Sequence, residues 1–247
     1  MRPAALIVQA RMTSRRLPGK VLKTVCGRPL LDLQLARLKR VKRADQVILA
    51  TTDLPTDDAV AALGGALGVT VFRGQEDDVL GRFAAAAQLT EATTLVRLTG
   101  DCPLLDPEIV DAHLALFDGA DYDYVWCGDR PSLPNGFICE VFGRDRLLQA
   151  ANAATDHYDR EHVTPWIRAQ LAAERIGAYH LPNDLSRYRL CVDTEEDFKL
   201  IERLLQNLIP QGDDFNLETV IKCLQAHPDW LALNQDIQQE TGPFVGL

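Results

Sequence analysis

Residues 4–20 read AALIVQARMTSRRLPGK, an apolar run that stops at a loop holding four cations. Ala4 to Val8 are apolar without alternation, the pattern of a strand covered on both faces. Thr13, Ser14, Pro18 and Gly19 punctuate the loop as turn formers, and a helical pattern begins near Pro29. Strand, loop and helix in that order open a βαβ unit, and in such sheets ligands gather at the carboxyl ends of the strands.

Arg11, Arg15 and Arg16 bring planar guanidinium forks to that edge, and Lys20 brings a compact ammonium. Thr13, Ser14 and Gly19 let backbone N–H groups approach phosphate oxygens. Neither GxxxxGK[ST] nor GxGxxG is present. By spacing alone, both a triphosphate-binding loop and a solvated basic connection fit.

Outward from this loop, strands and helices alternate. Leu30, Leu31, Leu33, Leu35 and Leu38 mark an apolar helix face within 29–40. Strands are expected at 47–51, 69–72 and 94–98, with helices at 56–67, 78–89 and 107–117. Between 123 and 142 the pattern becomes strand, Pro/Gly turn, strand, a hairpin-like excursion broken by Pro131, Pro134 and Gly136. Helices follow at 144–154 and 160–174, strands at 176–180 and 188–192, and a helix at 194–208. The expectation is an α/β fold: a mostly parallel sheet covered on both faces, with one or two antiparallel strands from the excursion. Residues 1–208 read as one α/β domain and 209–247 as a helical extension, whose Trp230-Leu231-Ala232-Leu233 patch fits packing on the core or on a second subunit.

With 247 residues, 47% hydrophobic and 25% charged, the chain can bury a full core. Its net charge of −9 argues against a nucleic-acid partner, which needs a basic face. No apolar run approaches the ~20 residues that span a bilayer, and the start is too short for a secretory signal, so no membrane and a cytoplasmic site are expected. Six cysteines show no CxxC or zinc spacing and read as reduced, mostly buried thiols.

RMTSRRLPGK resembles the R-x-x-S-x-R-L-P-G-K signature of cytidylyltransferases that activate sugar acids, the group holding the 3-deoxy-manno-octulosonate and acylneuraminate enzymes. VILATTD (47–53), VFRGQEDDVLGRF (71–83), VRLTGDCPLLDPEIVD (96–111), REHVTPWI (160–167) and VDTEEDF (192–198) continue the resemblance in order, most closely to the spore coat polysaccharide biosynthesis protein F branch. The resemblance implies a Rossmann-like three-layer α/β/α nucleotidyltransferase fold and CTP as a substrate. It also implies CMP transfer to a sugar-acid acceptor for a surface glycan, Mg2+ as cofactor, and a homodimer. Metal-binding aspartates are implied at Asp101 and Asp193, with Arg11, Arg16 and Lys20 neutralising pyrophosphate. Two carboxylates suit magnesium, which keeps waters and substrate phosphates as its other ligands. Read locally, Asp193 fits a helix N-cap equally well, and Asp101 a turn cap.

Ala10, Ser14, Thr52, Asp53, Arg73, Gly74, Asp78 and Arg82 complete the expected nucleotide pocket, although Arg82 is also spaced to pair with Asp78. Asn135, Glu140, Arg160, Glu161 and His162 are the acceptor candidates, His162 being equally readable as a structural histidine. Residues 133–142 read LPNGFICEVF where the branch reads close to Y-P-D-G-L-D-V-E-V-F. Two acids are thus missing and Glu140 remains, which implies a different acceptor. Asp193 or a metal-bound hydroxide is the candidate general base. A glycosyltransferase of similar fold would commonly carry a DxD motif, which Gly100-Asp101-Cys102-Pro103 lacks, and a noncatalytic nucleotide-binding relative is the other alternative.

Overall fold

The apolar run becomes β1 (Ala4–Gln9), buried through Val8. A two-stranded ribbon, β2 (Thr24–Val25) with β3 (Arg28–Pro29), leads into α1 (Leu30–Leu38). There follow β4 (Gln46–Thr52), α2 (Asp58–Ala66), β5 (Thr70–Gly74), α3 (Val79–Ala86), β6 (Thr94–Thr99) and α4 (Pro107–Gly119). The second half holds β7 (Tyr124–Trp126), β8 (Glu140–Gly143), α5 (Arg144–Ala153), α6 (His157–His162), α7 (Pro165–Ala169), β9 (Ile176–Ala178), α8 (Glu195–Leu208) and α9 (Leu217–Ala226). This is a computed structural model that describes residues 2–237.

Seven strands form one sheet in the order β5-β4-β1-β6-β8-β7-β9. β1 lies between β4 and β6 and is parallel to both, with Ile7 opposite Ile48 and Arg97. Only β8 runs against its neighbours, pairing antiparallel with β6 and β7. The expected excursion is therefore present, but not as a tight hairpin: residues 127–139 separate β7 from β8, and β8 inserts beside β6. Central strands are buried on both faces, which explains their unbroken apolar runs.

Two expected elements differ. The helix expected over 160–174 is broken, because Pro165 has no N–H for a continuous ladder; Val163 takes φ +71° and α7 starts afresh at the proline. Residues 188–192 form no strand. Asn135 and Arg189 make a single parallel bridge, and the Val192 N–H turns to the Asp101 carbonyl at 2.8 Å. Buried Leu190 and Val192 supply the apolar alternation of a strand, but their partners are loops, so no ladder repeats.

The extension packs on this chain's own core. Arg37 donates to the Phe215 carbonyl at 2.9 Å, the Leu217 N–H donates to Asp106 at 2.7 Å, and the turn Pro228–Leu233 packs against α8 and α9. Among the described residues no helix is long and apolar enough to cross a membrane. Of the cysteines, Cys26 alone is exposed, and all six are free thiols.

Candidate active site

Parallel β1 and β6 end side by side, and the chain leaving each turns into the same space. The Gly100 N–H donates to the Gln9 carbonyl at 2.8 Å. A β-carbon at Gly100 would sit 2.8 Å from the Ala10 β-carbon, so only glycine permits this approach. Gly19 closes the cationic loop with φ +72°, its N–H on the Met12 carbonyl at 2.8 Å. Asp57 and Glu76 brace the loop: Asp57 accepts from the Met12 N–H at 2.6 Å, and Glu76 accepts from Arg11 at 3.0 Å and from the Thr13 hydroxyl.

Between these elements lies a cavity of 390 Å³. Arg11, Arg15, Arg16, Lys20, Arg82 and Arg97 line it, against two acids, Asp101 and Glu161. In a chain of net charge −9 this local excess of cations selects an anion. Arg82 is buried, and burial first, then the neighbouring Arg11, lower its pKa. Its Nε has no hydrogen-bond partner. An anion placed between these two guanidiniums would relieve their repulsion.

The two aspartates converge on one ammonium. Lys20 Nζ donates to Asp101 Oδ2 and to Asp193 Oδ1, both at 2.8 Å. Arg16 lies 3.2 Å from the Asp193 carboxylate, and Arg189 lies 2.7 Å from the same carboxylate. Burial would raise the Asp193 pKa, but Lys20 and these arginines hold it down, at about 2. Burial also works against the Lys20 charge, yet the paired carboxylates raise its pKa overall.

The N-cap alternative for Asp193 is resolved by α8, where Thr194 is the cap and exchanges a capping box with Asp197. Asp193 does not itself line the cavity; it is tied to it through Lys20, which does. Cys191, Asp193 and Asp197 offer ligand atoms within 4.8 Å of one another. Asp197, however, is fully buried and spent on Arg189, Asn234 and the N–H groups of Asp193 and Thr194.

Ala10, Arg11, Ser14, Arg16, Lys20 and Arg82 of the expected nucleotide set line the cavity, as do Glu161 and His162 of the acceptor set. The others lie elsewhere. Thr52 is buried and donates to Asp57, Asp53 is exposed, and Arg73 beside Gly74 spends its fork on the Thr52 and Leu54 carbonyls and on Asp58. Asp78 pairs with Arg160 at 2.6 and 2.9 Å, not with Arg82, which donates instead to the Gln75 and Glu76 carbonyls. That pair joins α3 to α6, so neither partner faces the cavity as expected. Asn135 bridges Arg189 through its backbone, and Glu140 is buried behind Arg97.

Gln9, Val79, Arg97 and Thr99 line the cavity but escaped the sequence reading. For Arg97 a signal was present: a lone charge inside the apolar strand TLVRLT.

Comparison with known proteins shows the family and the fold. The family model described as Cytidylyltransferase matches residues 5–216. The chain is 36% identical over 239 residues to the spore coat polysaccharide biosynthesis protein SpsF of Bacillus subtilis, covering 93% of this chain and 97% of that protein. A solved cytidylyltransferase from Leptospira borgpetersenii is 29% identical and superposes with a TM-score of 0.88 over 97% of this chain and 100% of its own. A CMP:2-keto-3-deoxy-manno-octonic acid synthetase solved with CTP shares the fold at 17% identity, with a TM-score of 0.64 over 83% of this chain and 99% of its own.

Proposed function

We propose that this chain, which belongs to the cytidylyltransferase family of CTP-dependent nucleotidyltransferases, transfers CMP from CTP to a hydroxyl of a sugar acid and releases pyrophosphate, for a surface glycan. The observation that carries the reading is the cavity at the ends of β1 and β6, where six cations meet Asp101 and Asp193 through Lys20.

Arg11, Arg16 and Arg82 seat the triphosphate and offset the charge that gathers on the leaving pyrophosphate. The acceptor hydroxyl forms the new bond to the α-phosphorus as the bond to the pyrophosphate oxygen breaks, and the hydroxyl proton passes to water. Asp101 and Asp193 suit a hard divalent cation, since both already aim an oxygen at one cationic centre. Magnesium bound there would polarise the α-phosphate. Lys20 would then turn from the aspartates toward phosphate. Asp193, held anionic by its cationic neighbours, suits a ligand better than a general base.

The test is pyrophosphate release from CTP with magnesium across octulosonic and nonulosonic acids, with ATP, GTP and UTP as controls. Release specific to CTP and one acid is the expected result. Magnesium-dependent CTP binding without release from any acid would favour a noncatalytic relative. A CTP-consuming enzyme of this kind belongs in the cytoplasm, and light scattering of the purified chain tests the homodimer that the family resemblance implies.

A further inference from the structure

Of the charged cavity residues that the proposed reaction leaves without a task, Arg15, Arg97 and Glu161, Arg97 is the one held within a strand of the sheet. It lies within β6, four residues before Asp101, flanked by apolar Val96 and Leu98. Its Nη1 donates to Glu140 Oε2 at 2.5 Å. The other oxygen of Glu140 accepts from the Tyr124 hydroxyl and from Thr164 Oγ1 at 2.7 Å. Glu140 is buried, which would raise its pKa, but Arg97 and the two hydroxyls lower it overall. The carboxylate is thus fully engaged in fixing one guanidinium.

That guanidinium is itself only partly used. Arginine offers five N–H donors, and Arg97 Nε is buried without a hydrogen-bond partner. Glu161 and His162 of α6 line the same cavity, and Arg97 is among the charges that act on His162. The loop cations and Arg82 belong to other elements. A planar cation locked by a buried acid, with donors to spare, is preorganised for a planar anion. A pair present only for packing would gain nothing over the apolar residues around it.

Resting on the reading of the site as a sugar-acid cytidylyltransferase, we infer that Arg97 binds the carboxylate of the acceptor and that Glu140 is the residue positioning it. Specificity for an acid over its neutral counterpart then resides in this pair.

The experiment compares octulosonic and nonulosonic acids with their methyl esters, in wild type, Arg97→Met, the double variant Arg97→Met/Glu140→Gln, and Glu140→Gln. The double variant removes both partners, so no buried charge is left alone and folding is protected. Pyrophosphate release gives kcat and KM, calorimetry gives CTP affinity, and saturation-transfer NMR gives acceptor binding without turnover. The expected result is a wild-type preference for acid over ester of about 100-fold that falls below about 5-fold in both Arg97 variants. CTP affinity should stay within about 3-fold, and Glu140→Gln should raise acceptor KM with little change in kcat. If the Arg97 variants keep the acid preference, or if wild type binds acid and ester equally, the inference is overturned. Wild type that binds acids selectively through Arg97 but releases no pyrophosphate would uphold the inference and defeat the proposed reaction.

Discussion

The cavity has two charged walls built in opposite ways. On one, Arg11, Arg15 and Arg16 follow one another along a single loop and stay partly or fully exposed, with water to share their charge. On the other, Arg97, Glu140, Tyr124 and Thr164 come from β6, β8, β7 and the turn before α7, and meet in one cluster whose half-buried Arg97 reaches the cavity while its three partners are buried. Exposed pairs each contribute little and are screened by salt, so the first wall works through the number of its cations. A buried pair is costly to break and fixed in direction, so the second wall works through orientation. The first suits a flexible polyanion; the second suits one planar group.

The largest expected effect lies between the walls. Asp101→Ala should lower kcat about 10³-fold, roughly 4 kcal/mol of barrier, while CTP binding without metal stays within a few-fold. Steady-state kinetics beside calorimetry in chelator checks it. If kcat holds and only CTP affinity falls, Asp101 belongs to the nucleotide wall and not to the reacting centre.

Next comes the support behind the rim. Asp197 is fully buried against Arg189 at 2.9 Å, with Asn234 of the extension adding a bond at 2.9 Å. Asp197→Ala should destabilise the fold by about 3 kcal/mol and leave Arg189 bearing on Asp193 alone. Urea denaturation measures the loss. An unchanged midpoint would mean that the rim has no buried foundation and would dissolve the contrast with the second wall.

The loop wall was legible in the sequence because its cations are neighbours along the chain, and spacing survives without a fold. Asp101 and Asp193 were legible for a similar reason, each sitting in a short ordered motif. The second wall was not. Glu140 stood out as an acid, but its burial and its grip on Arg97 depend on β8 inserting antiparallel beside β6, which no local pattern specifies. Asp78 and Arg160, 82 positions apart, were read as separate ligands for the same reason: their pairing exists only once α3 and α6 pack. Strand and helix positions were mostly readable from periodicity. Residues 188–192 were misread because Tyr188, Leu190 and Val192 recur at every second position as in a strand, even though the chain finds loops, not strands, as partners.

A smaller effect separates the halves by pH. His113 of α4 is buried beneath the β7–β8 side, its Nδ1 on the Ile109 carbonyl and its Nε2 without a partner. Burial lowers its pKa to about 4, so the folded chain holds it neutral. Between the unfolded value near 6.5 and about 4, the unfolded state binds the extra proton, and stability falls as pH drops through that window. The loss is on the order of 2 kcal/mol by pH 4, and His113→Gln should flatten that part of the curve. Urea midpoints at pH 7 and pH 4.5 test it, and an equal slope in the variant would assign the acid loss to other groups.

The smallest effect concerns Asp78, which the sequence placed at the nucleotide and the structure pairs with Arg160. Its carboxylate also caps α3 through the Gly81 N–H at 2.9 Å, and both members of the pair keep some solvent access. Asp78→Ala removes a cap worth about 1 kcal/mol and an ion pair worth a few tenths at this exposure, so the fold should lose about 1 kcal/mol. CTP KM should stay within about 2-fold, because the side chain does not line the cavity. Thermal melts and CTP titrations on one preparation decide the matter. A tenfold weaker CTP affinity with an unchanged melt would return Asp78 to the nucleotide wall, and would mean that α3 and α6 part when CTP enters. The expected pattern, a lower melt with unchanged affinity, keeps the pair as a brace that joins α3 to α6, whose Glu161 and His162 line the cavity.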